Sequence, residues 1–197
     1  MKNNNEPLVS VIIHSFDRFQ YLLNAIRSIE NQTYKNYELI LINDDSNEKE
    51  YYEYNFPEFV KKIDIKKKDF PAWTGSRQAL INIGVENSNG QFIALLDDDD
   101  YWLPTKLEIQ INQMLEMDFK FSSTEGYFGE GVFDNTSKYK LYNQEHFFSV
   151  LKKKYRKTQY LKSGKFPKYW NYDFLKIHNC VIKSSVVIDK KIFNIAG

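Results

Sequence analysis

The chain has 197 residues, a formal net charge of +1, 42% hydrophobic residues and 16% aromatics. That is one domain of ordinary size with enough apolar material for a core, so wholesale disorder is excluded, and the balanced charge gives no electrostatic reason for a nucleic-acid partner. A single cysteine, Cys180, excludes an intrachain disulfide, no apolar signal segment follows Met1, and no apolar run reaches the ~20 residues of a membrane span, so the chain reads as cytoplasmic.

Leu8 to Ile13 is a short Val/Ile run and reads as a buried strand. From Phe19 the period lengthens: Tyr21, Leu22, Ala25, Ile26 and Ile29 fall on one helical face. Tyr37 to Ile42 is a second strand, stopped by Asn43, Asp44, Asp45, Ser46 and Asn47, whose side chains compete for nearby backbone. A weaker helix over Glu48 to Tyr54 and a third strand over Val60 to Ile65 follow. Ser76 to Asn87 has helical spacing, Asn89-Gly90 is a turn, and Gln91 to Leu96 is the clearest strand. Pro104 suits the first turn of another helix, with Leu107, Ile111, Met114 and Leu115 on its apolar face. Phe119 to Ser123 is a further strand.

This alternation predicts an α/β fold, a mostly parallel Rossmann-like sheet with helices on both faces. Beyond Thr124 the rhythm is lost, and residues 124–197 read as an irregular half with hairpins, a helix near Glu145 to Lys154, a strand over His178 to Lys183 and a helix capped by Ser184.

Ligands of open parallel sheets bind beyond the carboxyl ends of the strands. Three polar clusters stand at such ends: His14 to Asp17, Asp44-Asp45, and Asp97 to Asp100. Adjacent carboxylates repel; at ~4 Å and an effective dielectric of about 20 a pair costs about 4 kcal/mol. Four in a row call for compensation, for which Mg²⁺ or Mn²⁺ with oxygen ligands is suited, and such an ion also suits a diphosphate. Two readings stand for Asp45, a turn former or an acceptor for a base edge, and two for Phe16, core packing or stacking on a ring.

Three blocks then carry a family resemblance. Pro7 to Arg18 (PLVSVIIHSFDR), Ser28 to Asp45 (SIENQTYKNYELILINDD) and Gly90 to Leu107 (GQFIALLDDDDYWLPTKL) resemble, in order and separation, the motifs of the family 2 glycosyltransferases of GT-A fold. The resemblance is strong over roughly residues 7–115. It implies an inverting transfer of a sugar from a UDP-sugar to a hydroxyl of a glycan or glycoconjugate acceptor, with Mn²⁺ or Mg²⁺ as cofactor. It places Phe16 on the uracil, His14 beside the nucleotide, Asp45 on the base and Asp98 at the ribose or sugar. Asp97 and Asp99 take the outer positions of the D-x-D motif as metal ligands. Arg77 corresponds to a basic residue near the nucleotide, or is a solvated helix-start arginine. His178 is a metal or phosphate ligand, or a buried hydrogen-bonded histidine.

Departures accompany these matches. His14 replaces a Pro, Ser46 a common Gly, and Ile81-Asn82-Ile83-Gly84 stands where many members have Arg-Asn-x-Gly. The segment that supplies the family's catalytic base would begin where the chain stops, at Phe193 to Gly197. The expectation is therefore one truncated domain, 1–123 binding nucleotide and 124–197 forming part of the acceptor side, within a longer chain. A non-catalytic nucleotide-sugar-binding module is the alternative. A nucleotidyltransferase would need a Gly-rich phosphate loop, and none follows Ile13.

Overall fold

A computed structural model describes residues 6–66, 77–158, 172–177 and 179–196. Four strands run parallel: β1 (Val9–Ser15), β2 (Tyr37–Asn43), β3 (Val60–Asp64) and β4 (Phe92–Leu95). Helices α1 (Phe19–Glu30), α2 (Glu50–Glu53), α3 (Arg77–Glu86) and α4 (Lys106–Glu116) alternate with them or follow them. Two short strands, β5 (Phe121–Ser122) and β8 (Val187–Asp189), complete the sheet in the order β3-β2-β1-β4-β8-β5. The remaining elements are a hairpin of β6 (Tyr127–Phe128) and β7 (Lys140–Leu141), a π-helical turn (Tyr142–His146), α5 (Phe148–Tyr155), α6 (Tyr172–Ile177), a 3-10 turn (Lys183–Ser185) and α7 (Lys190–Ala196).

Strand alternation sorts the core into two layers. Val9, Val11 and Ile13 of β1 join Leu39, Leu41, Phe92 and Ala94 against α1 and α4. Ile12, Ile40, Ile42 and Ile93 point the other way, against Leu80, Ile81 and Val85 of α3. Both sheet faces are covered, which is why these strands are apolar at nearly every position. In α1 the buried face is Phe19, Leu22, Ala25, Ile26 and Ile29, whereas Tyr21, expected on it, is exposed. Leu115 of α4 is likewise exposed.

The expectation of a mostly parallel sheet holds, but its far edge is antiparallel: β8 pairs antiparallel with both β4 and β5. The strand expected over His178 to Lys183 is not there. His178 lies outside the described residues; residues 179–182 carry no strand, and Lys183 opens the 3-10 turn. The strand lies instead at Val187–Asp189, where Val187 can be buried beside Ala94 and Ser122. Ser184 sits within the 3-10 turn rather than capping a helix. Leu151, Tyr155, Phe174 and Cys180 form a separate small core under the second half of the chain, which accounts for Cys180 as a buried apolar residue.

The Gln-Thr of the second block holds structure together. Gln32 is fully buried; its amide donates to the Leu103 carbonyl at 2.9 Å and accepts from the Leu107 N–H at 3.0 Å. Thr33 N–H donates to the Pro104 carbonyl at 2.8 Å. These bonds satisfy a donor in the first turn of α4 and pin the loop leaving β4 to the end of α1.

Candidate functional site

Parallel pairing brings the carboxyl ends of β1, β2 and β4 to one edge. The chain runs from β1 outward through β2 and β3, then returns to place β4 on the other side of β1. The loops after β1 and β4 therefore flank the crevice where strand order reverses, the usual ligand position in open α/β sheets.

Hydrogen bonds join the three loops. On the β2 side, the Asp17 carboxylate accepts from the Asn47 N–H at 2.6 Å and from its side-chain amide at 2.8 Å. Ser46 Oγ accepts from the Asp17 N–H at 3.1 Å. The Ser that replaces a common Gly thus ties the two loops together. Asp17 and Asp45 both hold left-handed backbone, φ 50° and 60°. Asp tolerates this region better than most residues, at a cost of order 1 kcal/mol or more, and the Asp17 bonds offset it.

On the β4 side, Asp97 to Asp100 form a tight turn, with the Asp100 N–H donating to the Asp97 carbonyl at 3.2 Å. Asp98 is the buried member, 7% exposed. Ser15 Oγ donates to its carboxylate at 2.6 Å, and the buried Tyr51 hydroxyl bonds Ser15 Oγ in turn. The same Tyr51 oxygen accepts from the Arg18 N–H at 3.2 Å. Burial pushes the Asp98 carboxyl above its ordinary range; Ser15 pulls it back, Asp99 pushes it up, Arg18 lowers it and Asp97 raises it again. Burial likewise raises the Tyr51 phenol, so it stays a neutral hydroxyl.

The carboxylates are compensated from within the protein. Arg18 Nη1 lies 2.6 Å from Asp99 and 3.6 Å from Asp98. Lys183 Nζ pairs with Asp97, and the Ser184 hydroxyl donates to Asp100 while accepting the Asp97 N–H at 2.9 Å. The repulsion that called for a divalent cation on sequence grounds is thus met here by an arginine, a lysine and two serines.

Of the expected site residues, Asp97, Asp98 and Asp99 stand together, and Ser15 and Arg18 join them to the loop that carries Phe16. His14 is half-exposed, paired in register with Ile42 of β2. Phe16 is 40% exposed in the β1 loop, and Asp45 is half-buried after β2. Arg77 is the first residue of α3; its side chain and all of His178 lie outside the described residues. Sequence reasoning gives Arg18, Tyr51, Lys183 and Ser184 no role at the site. Arg18 directly follows the first polar cluster, the one signal that could have found it.

Two cavities adjoin the turn. A cleft of about 330 Å³ is lined by Arg18, Tyr21, Asp99, Asp100, Gly129 and Gly131. A larger one, about 900 Å³, runs from Asp97, Asp99 and Asp100 along α4 to the 124–147 and 179–185 segments. Its walls include Tyr101, Phe133 and Tyr139, whose rings stack in series. Neither cavity is lined by His14, Phe16 or Asp45.

Among the described residues no group of three or more His, Cys, Asp or Glu side chains is arranged to hold a metal. The donor chemistry nevertheless fits a hard divalent ion. Mg²⁺-type ions are commonly held by one or two carboxylates, with substrate phosphates and water completing the shell. Asp97 and Asp99 offer such carboxylates at the cavity rim, with side chains 32% and 46% exposed.

Comparison with known proteins agrees with this architecture. A family model described as Glycosyl transferase family 2 matches residues 10–189. An uncharacterized glycosyltransferase of Rickettsia bellii is 39% identical over 118 residues, 59% of this chain and 16% of the relative. The Escherichia coli UDP-Glc:alpha-D-GlcNAc-diphosphoundecaprenol beta-1,3-glucosyltransferase WfgD is 31% identical over 118 residues, 59% of this chain and 45% of its own. Staphylococcus aureus TarS 1-349 in complex with UDP superposes with a TM-score of 0.51 at 19% identity, over 64% of this chain and 38% of that one. The mannosyltransferase PcManGT of Pyrobaculum calidifontis, in complex with GDP-Man and Mn²⁺, gives 0.52 at 13% identity, over 62% and 37%. At these identities the structural likeness establishes the fold, which is the expected GT-A arrangement. The chain spans less than half the length of the curated relatives it matches.

Proposed function

The chain belongs to glycosyl transferase family 2, and from that premise we propose that it forms the donor-binding part of a metal-dependent inverting glycosyltransferase. It takes a UDP-sugar at the β1-β2-β4 edge and passes the sugar to a hydroxyl of a glycan or glycoconjugate. The observation that carries this reading is the coupling of the three loops: Ser15 and Arg18 bond the β4 carboxylates while Asp17 bonds the β2 loop. Relatives point the same way, since WfgD is named for UDP-Glc and TarS is seen with UDP.

In this reading Phe16, half-exposed beyond β1, stacks on the base, and His14 lies beside the nucleotide. Asp45 accepts from the base edge. Asp98, held by Ser15, fixes the ribose or sugar. Asp97 and Asp99, with His178, would hold Mn²⁺ or Mg²⁺, and Arg77 would be the basic residue near the nucleotide. A bound divalent ion would neutralise the charge that builds on the diphosphate as the glycosidic bond breaks. The large aromatic-walled cavity that adjoins the carboxylate turn is the space for the acceptor, whose flat sugar faces suit the stacked Tyr101, Phe133 and Tyr139.

Calorimetric titration with UDP tests this. Affinity rises at least about tenfold when Mn²⁺ is present, and Asp99→Ala removes that gain. Equal affinity with and without Mn²⁺, or an unchanged gain in Asp99→Ala, would count against the reading.

A further inference from the structure

Arg18 and Lys183 occupy the same carboxylates that the proposed ion would need. They come from distant parts of the chain: Arg18 immediately precedes α1, and Lys183 opens the 3-10 turn before β8. Arg18 spans Asp99 and Asp98, and Lys183 takes Asp97. Neither is sealed in place, their side chains being 49% and 32% exposed. Each also lines a cavity beside the turn, Arg18 the smaller cleft and Lys183 the larger.

We propose that Arg18 and Lys183 are exchangeable counter-ions, which neutralise the Asp97–Asp100 turn in the absence of donor and move from the carboxylates to the donor's diphosphate when a divalent cation takes their place. The proposal rests on the donor-site reading above. Its physical basis is competition. A cationic side chain and a divalent ion drawn to the same carboxylate repel each other, so binding of one weakens binding of the other. Long, part-exposed side chains leave at small cost, because solvent already screens their ion pairs. Once free, both cations remain beside the carboxylate turn, where a donor's diphosphate attracts them. The guanidinium fork of Arg18 matches phosphate oxygens in pairs, and the ammonium of Lys183 acts as a compact charge. The counter-ions thereby keep the turn in its working shape without metal, and they couple loss of the internal ion pairs to arrival of the ligand.

Competition gives the two cations opposite effects on two ligands, and that sign difference is the test. Mn²⁺ alone is titrated calorimetrically into the full chain and into Arg18→Gln, Lys183→Gln and Arg18→Lys. UDP is then titrated into the same proteins at saturating Mn²⁺, and thermal melts confirm that each variant is folded. Both Gln variants bind Mn²⁺ about fivefold tighter than the parent and, in its presence, bind UDP about fivefold more weakly. Arg18→Lys, which keeps the charge, stays close to the parent for Mn²⁺. Unchanged or weaker Mn²⁺ binding in the Gln variants overturns the proposal, as does an absence of Mn²⁺ binding in every protein. If the parent binds no UDP under any condition, the donor reading fails, while the Mn²⁺ comparison still decides whether these residues guard the carboxylates.

Discussion

Tyr51 shows how a buried side chain far from any motif sets the geometry of a site. Its hydroxyl lies between Ser15 Oγ, which holds Asp98, and the Arg18 N–H, at the point where β1 turns into α1. The ring is fully buried, with Phe19 edge-on at 5.4 Å between centroids. Tyr51→Phe keeps the packing and removes one oxygen, leaving the Arg18 amide without that partner. The expected loss is about 1–2 kcal/mol of stability, read as a lower urea midpoint with an unchanged slope. A midpoint equal to the parent's would mean that the hydroxyl carries no weight. Nothing in the local sequence around Tyr51 announces this role. Sequence spacing shows which residues share an element, so Asp97 to Asp100 stood out as a run. The partners of that run, Arg18 and Lys183, lie about eighty residues away on either side and become neighbours only through sheet order.

At the scale of elements, the β1-β2-β4 junction opposite the site is closed by Glu38. Its carboxylate accepts from Ser10 Oγ at 2.6 Å, from the Asn89 N–H at 2.5 Å and from the Asn89 amide at 3.1 Å. Gly90 beside it has no room for a side chain: a Cβ there would stand 2.6 Å from the Ser10 nitrogen and 2.8 Å from the Leu8 carbonyl. Burial alone would raise the Glu38 carboxyl, but the bonds from Ser10, Asn89 and Gly90 outweigh it and hold the carboxyl below its ordinary value. A depressed folded-state value means stability that is present above the unfolded pKa of about 4.3 and is lost as pH falls through the folded one. Glu38→Gln should therefore be less stable than the parent at neutral pH, with the gap closing below about pH 4 in urea titrations. A gap independent of pH would contradict the assigned ionisation. Strands β1, β2 and β4 were readable because both their faces are covered, leaving nearly continuous apolar runs. Strand β8 was not: the apolar residues around Cys180 to Ile182 looked as strand-like as Val186 to Ile188. What decides between them is a pairing partner, since Val187 and Ile188 find Ala94 and Ile93 of β4.

At the scale of the molecule, the fold makes one edge of the sheet a meeting place for loops far apart in the sequence, Ser15 and Asp98 being 83 residues apart. The three sequence blocks therefore act as a unit. The second half of the chain was legible only coarsely, as hairpins and a helix near Glu145 to Lys154, which β6-β7 and α5 match; its elements are short and are held by the small core around Tyr155 and Phe174 and by the Glu125 carboxylate, which accepts from Asn143 and Gln144. It nevertheless supplies Lys183 and Ser184 to the turn and most of the wall of the large cavity. Among the described residues no helix is long and apolar enough to cross a membrane. The most direct test of the account is paramagnetic broadening of backbone amide NMR signals by substoichiometric Mn²⁺ with UDP. Amides of residues 15–18, 44–47 and 97–100 are expected to broaden together while those of α5 stay sharp. Broadening confined to one of these loops, or centred elsewhere in the chain, would contradict it.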